Sequence, residues 1–141
     1  MISRAWLIAL TVALMIVSLP HALEDFHYGD LQRIGIPLPA SVLALLLAYA
    51  LQTTGITLTA NGRRAGTWLL ALMGAIWSVG AIVIHGHDLL FAGPEYRHGH
   101  VSKVLEALVI LFGAAVTWVG LRVARNDSPI EVVSTRTGTP R

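Results

Sequence analysis

The chain has no cysteine. Its absence excludes a disulfide framework and any thiolate metal site, so a metal would have to be held by imidazole and oxygen. Charge is scarce too: Asp, Glu, Lys and Arg make up 13% of the residues and hydrophobic residues 55%, against about 25% charged in soluble domains. This is a membrane composition. The ten Lys and Arg are scattered, with no basic helix and no interleaved aromatics, so the basic balance does not point to nucleic acid. Neither a Walker loop, a dinucleotide fingerprint, a nucleophile elbow nor an HExxH pair is present.

What the chain does have is long apolar runs. The second, Leu38 to Thr59, carries no charge and starts between Pro37 and Pro39, which suit a first helical turn. The third, Ala65 to Ile84, is also uncharged, and the fourth extends from about Val101 to Val123. Each is long enough for the roughly 20 residues that a spanning helix needs. The first run, Ala5 to Leu19, is shorter and ends at Pro20. It reads as a retained helix, with a cleaved signal peptide as the alternative, although Pro20 would fit badly three residues before a cut after Ala22.

The expected fold is all-α: an integral membrane four-helix bundle, or three helices if the first run is removed. Spans are predicted at about 4–22, 38–59, 65–85 and 101–123, within one transmembrane domain over 1–125. A disordered cytoplasmic tail follows over 126–141, rich in Ser, Thr, Pro and Gly. Small residues at Ala71, Gly74, Ala75, Ser78 and Ala81, and at Gly113, Thr117 and Gly120, predict close contact between the third and fourth spans.

Basic residues set the expected orientation. One side holds Arg4, Arg63, Arg64, Arg122, Arg125, Arg136 and Arg141; the other holds Arg33, Arg97 and Lys103. The richer side is cytoplasmic by the positive-inside tendency, which puts both termini inside the inner membrane. All six histidines then fall on the outer or periplasmic side, with six of the eight acids.

Four of those histidines lie in the sixteen residues from His85 to His100, which begin and end with His-Gly-His. Alternate residues point to opposite sides of a strand and nearly opposite sides of a helix, so one histidine per triplet is expected to face inward. In the segment after the first span, His21 and Asp25 are four apart and His21, Glu24 and His27 are successively three apart, spacings that share a helix face. Glu106, a turn inside the fourth span, is expected to face the bundle or to pair with Lys103. The candidate metal ligands are therefore His21, Asp25, His27, His85, His87, Asp88, His98, His100 and Glu106.

Three readings follow. The broadest is a small multi-pass membrane protein, an accessory or structural subunit whose polar outer face meets water or a membrane-protein partner, in a hetero- or homo-oligomer. A second is a divalent-metal protein using outer histidines and carboxylates, with Zn, Cu, Ni or Fe as the ion. The third is a b-type haem or quinone-associated redox subunit, with His85 or His87 and His98 or His100 as axial ligands. The catalytic residues, if any, are not legible, and the lipid bilayer is the one partner that composition implies.

Overall fold

The computed structural model of the chain describes residues 3–93 and 96–126; Glu95 and the tail beyond Asn126 lie outside the described residues. The described residues form five helices: α1 (Arg4–Tyr28), the short α2 (Asp30–Arg33), α3 (Leu38–Ala60), α4 (Arg64–Phe91) and α5 (His100–Asn126). α1, α3, α4 and α5 are each long and apolar enough to cross a membrane. The all-α membrane bundle is therefore what the chain forms, and no strand occurs among the described residues.

Two helices run further than the apolar runs that announce them. α1 continues through Pro20 to Tyr28, and α4 continues to Phe91. Polarity alone does not end a helix; a backbone feature does. For α1 that feature is Gly29, at φ 72°, whose N–H closes the last turn on the carbonyl of Asp25. His21, Asp25 and His85 consequently sit on rigid helix, not in loops.

Between helices in lipid there is little hydrophobic driving force, so close packing has to hold the bundle. α4 and α5 make the most extensive contact, α1 lies against α5, and α3 against α4. The α4–α5 contact depends on glycine. A Cβ on Gly74 would stand 2.7 Å from the carbonyl oxygen of Gly113, and one on Gly113 would stand 2.8 Å from that of Gly74. The backbones can touch there only because both positions lack a side chain. Ser78 Oγ donates to the Ile110 carbonyl at 3.1 Å, and Thr117 Oγ1 lies 3.3 Å from the Ala71 carbonyl, which tie the same seam.

The buried positions form stripes at spacings of three and four. On α1 they are Leu7, Thr11, Leu14, Ser18, His21 and Asp25, with Ala22 beside them. On α4 the stripe passes through Leu70, Gly74, Ser78 and Ala81 to His85, and on α5 it runs Glu106, Val109, Gly113, Val116, Gly120. The faces that build the apolar core therefore end, at one pole of the bundle, in ionisable groups. α3 differs. Its tight contacts are near its C-terminal end, where a Cβ on Gly66 would meet the Thr59 backbone nitrogen at 2.4 Å and one on Gly55 would meet Leu70 Cδ2 at 2.5 Å.

A methyl group forced into the α4–α5 seam should cost more than one placed in open space. Gly113→Ala is expected to lose about 1–3 kcal/mol, whereas Gly80→Ala, whose added Cβ meets nothing within 4 Å, should stay near wild type. Thermal unfolding of the two variants in one detergent compares them.

Candidate functional site

The stripes of α1, α4 and α5 converge at the pole where α1 ends and α5 begins. Buried there are His21 (2% exposed) and Asp25 (6%) from α1, His85 (1%) from α4 and Glu106 (0%) from α5. Into their midst comes Arg97, whose side chain is 4% exposed. Arg97 belongs to the turn before α5 and takes φ 48°, followed by Gly99 at φ 62°. Positive φ is uncommon for a residue with a side chain. Here it turns the guanidinium inward, onto the carboxylates.

Arg97 is the hub of this pole. Its Nη1 donates to Asp25 Oδ1 at 3.1 Å and lies 3.4 Å from Glu106 Oε1 and 3.9 Å from Glu24 Oε2. Its Nη2 donates to Asp30 Oδ2 and sits 3.3 Å from His85 Nδ1. A guanidinium can only donate, so His85 Nδ1 is the acceptor and its Nε2–H donates to Asp25 Oδ2, 3.2 Å away. Tyr96 OH donates to Glu106 Oε1 at 2.9 Å. Burial, and then that bond to Glu106, push the Tyr96 hydroxyl above its ordinary pKa, so it stays protonated and remains a donor. Burial pulls Arg97 the other way, but Asp30, Asp25 and Glu106 outweigh it and the guanidinium is held cationic more firmly than usual.

On the far side of Asp25 from Arg97, Oδ2 faces two imidazoles. His85 Nε2 is 3.2 Å and His21 Nε2 3.6 Å from it. The rings of His21 and His85 meet edge to face with centroids 4.9 Å apart, and each of the three residues offers one ligand atom within 4.8 Å of the others. A tetrahedral ion with nitrogen and oxygen ligands at about 2.0–2.2 Å places neighbouring ligand atoms about 3.3–3.6 Å apart. The His21–Asp25 edge falls at that spacing and the His85–Asp25 edge just short of it, while the two imidazoles, within 4.8 Å, would draw together on an ion. His21 Nδ1 has no hydrogen-bond partner although it is buried, and such an orphan costs about 1–3 kcal/mol unless something satisfies it.

The charges at this pole do not balance over the described residues. Glu24, Asp25, Asp30 and Glu106 bring four carboxylates; Arg97 and Arg33, the latter 3.0 Å from Asp30, bring two guanidiniums. The gap is two positive charges. Protons on imidazoles or carboxyls, or one divalent cation, would close it.

Compared with known proteins, the chain matches no family model, no curated protein and no solved structure significantly. The geometry alone carries the reading.

Of the nine residues that the sequence singles out, the structure brings His21, Asp25, His85 and Glu106 together. The other five stand apart from the buried group. His27, His87 and His100 are exposed. His87 Nδ1 lies 3.4 Å from Asp88 Oδ1 at the surface. His98 is exposed too, with Nδ1 2.9 Å from Glu24 Oε1, and Ser102 Oγ donates to that same oxygen at 3.2 Å. The first His-Gly-His triplet thus sends one imidazole inward, as alternation requires. The second sends none, because the positive-φ turn that precedes α5 turns Arg97 inward in place of a histidine. Lys103 does not pair with Glu106; its Nζ donates to the Ala92 carbonyl. Arg97, Tyr96, Glu24 and Asp30 are the residues that sequence reasoning left out of the site. One signal was present: buried carboxylates need a cation, and Arg33, Arg97 and Lys103 are the basic residues of the segments that flank them.

Removing the hub should be costly. Arg97→Ala leaves several buried carboxylates uncompensated and is expected to destabilise the protein by about 3–5 kcal/mol. Arg33→Ala, at the exposed end of the same network, should cost no more than about 1 kcal/mol. The midpoints of thermal unfolding in detergent measure both, and equal losses would remove Arg97 from its central place.

Proposed function

We propose that this small membrane protein binds one divalent transition-metal ion through His21, Asp25 and His85. The observation that carries this reading is the buried convergence of two imidazoles and a carboxylate oxygen from two different helices. Exposed acidic groups gather without a metal often enough, but these three are buried. Imidazole and carboxylate together suit Zn, Cu, Ni or Fe and disfavour Ca or Mg, which prefer oxygen alone. Three protein ligands leave a coordination position open.

The surrounding residues fit the role of a support shell. Arg97 occupies Asp25 Oδ1 and so leaves Oδ2 directed at the imidazoles. With a metal at His85 Nε2 the ring would carry its one hydrogen on Nδ1. Glu106 Oε1, 3.9 Å from that nitrogen, is the carboxylate placed to receive it once Arg97 gives way, an arrangement that fixes ring orientation in many metal sites. One divalent ion would also close the two-charge gap left by the four carboxylates and two guanidiniums. By the basic-residue count, this pole faces the outer or periplasmic side, with both termini cytoplasmic.

The haem reading fares worse. Of its axial candidates only His85 is buried, between Asp25 and Arg97, whereas His87, His98 and His100 are exposed and His98 lies against Glu24. A purely structural, accessory role makes a different forecast from metal binding.

Elemental analysis of the detergent-purified protein after supply of zinc is expected to give one ion per chain. His21→Ala, Asp25→Asn and His85→Ala should each reduce retention by about 10–100-fold in affinity or more. A combined His27→Ala, His87→Ala, His100→Ala variant should retain the ion like wild type. Wild type that keeps no zinc, copper, nickel or iron above the level of the His85→Ala variant would leave the accessory role standing instead.

A further inference from the structure

The same three residues have a second aspect. His21, Asp25 and His85 form the polar end wall of a cavity of about 250 Å³ between α1, α3 and α4. The rest of its lining is mostly apolar, supplied by side chains such as Phe26, Leu45, Ala48 and Ile84. The cavity exists because the tightest α3–α4 contacts, through Gly55 and Gly66, lie toward the opposite pole, and α3 carries Ser41, Ala44 and Ala48 where it passes the site. Small residues at spacings of three and four leave a groove where large ones would fill it.

Its dimensions are those of an elongated slot. Along α4 the lining extends from Ile76 to His85, about 13 Å at 1.5 Å per residue. At the end remote from the histidines the slot reaches Trp77, whose Nε1–H donates to Gln52 Oε1 at 3.2 Å and whose ring meets Tyr49 edge to face. Tyr49 in turn donates to the Met15 carbonyl at 2.8 Å and so ties α3 to α1. Ala44 and Ile76, both exposed, form the rim. They lie within spanning helices, so the rim opens toward lipid and not toward water.

We infer that this slot takes a quinone from the bilayer, with one neutral carbonyl oxygen at the His21–Asp25–His85 wall. The body of the ligand matches the apolar lining, and an oxygen acceptor matches the end wall. At the wall His85 already donates Nε2–H to Asp25 and accepts from Arg97 at Nδ1, so the unpartnered Nδ1 of His21 is the group left to donate, with an open coordination position beside it on the metal reading. The inference rests on that reading only for direct coordination of the head. A fatty acid fits less well, because its carboxylate would lie against that of Asp25 at a pole where acids already outnumber cations. Neither a hydrocarbon without an acceptor nor a water-soluble anion matches both ends of the slot.

Native mass spectrometry of the full chain released from detergent micelles resolves ligand and zinc adducts separately, with decylubiquinone and palmitate as probes. Wild type is expected to give a one-to-one adduct with decylubiquinone and not with palmitate; a palmitate adduct in its place overturns the carbonyl assignment. Ala48→Phe fills the slot without touching the histidines and should lower adduct occupancy at least about tenfold while the zinc adduct persists; Ala44→Phe is the second variant should the first prove misfolded by size-exclusion profile. His21→Ala should lower occupancy too, since it removes the polar wall. No adduct with either probe, or equal adducts in wild type and a folded slot-filling variant, overturns the inference. Loss of zinc from wild type with the probe adducts intact overturns the metal reading alone.

Discussion

The pole of this bundle depends on the burial of one guanidinium. Arg97 reaches carboxylates on α1, α2 and α5 and an imidazole on α4. Among the described residues no other side chain joins so many elements through polar atoms. Without that cation the burial of Asp25, Asp30 and Glu106 would place uncompensated negative charge in a medium of low dielectric constant, at a cost of several kcal/mol per ion. With it, the turn before α5 is pinned inward, α5 enters the bundle at Ser102 and Glu106, and Asp25 presents one oxygen to His21 and His85. The unusual backbone of Arg97 belongs to the same bargain: the strain of a positive φ is held in place by the ion pairs that it makes possible.

Two regimes of packing divide the length of the bundle. In the middle, and at the pole where α3 meets α4, helices touch through glycine and small hydroxyl residues, and the structure is close-packed. At the other pole the contacts are ionic and α3 stands off, which opens the slot behind the histidines. Close packing fixes the helix axes, and fixed axes hold groups from α1 and α4 at separations that a metal or an oxygen head can bridge. A loop site with the same residues would lack that rigidity.

Much of this was legible in the residues themselves. The four spans follow from uncharged runs, and the α4–α5 seam from small residues at helical spacing. The inward histidine of the first triplet was also within reach, because His85 continues the stripe of Ser78 and Ala81, just as His21 and Asp25 continue that of Leu14 and Ser18. Run past the ends of the apolar segments, the same periodicity separates these residues from His27 and His87. What periodicity cannot express is the turn over 96–99. Its inward-facing residue is chosen by a backbone conformation and by charges from three other elements, not by local pattern. For that reason the inward place goes to Arg97, which no local pattern marks, while His98 and His100 are exposed.

The central claim is that the pole is completed by a metal ion held by two imidazoles and a carboxylate. X-ray absorption fine structure on the zinc-loaded protein in lipid tests it most directly. The account predicts nitrogen and oxygen scatterers at about 2.0–2.2 Å, with an outer-shell signature of two imidazole rings that falls to one in His85→Ala. A zinc environment made of oxygen alone, or one unchanged by the loss of His85, would contradict it.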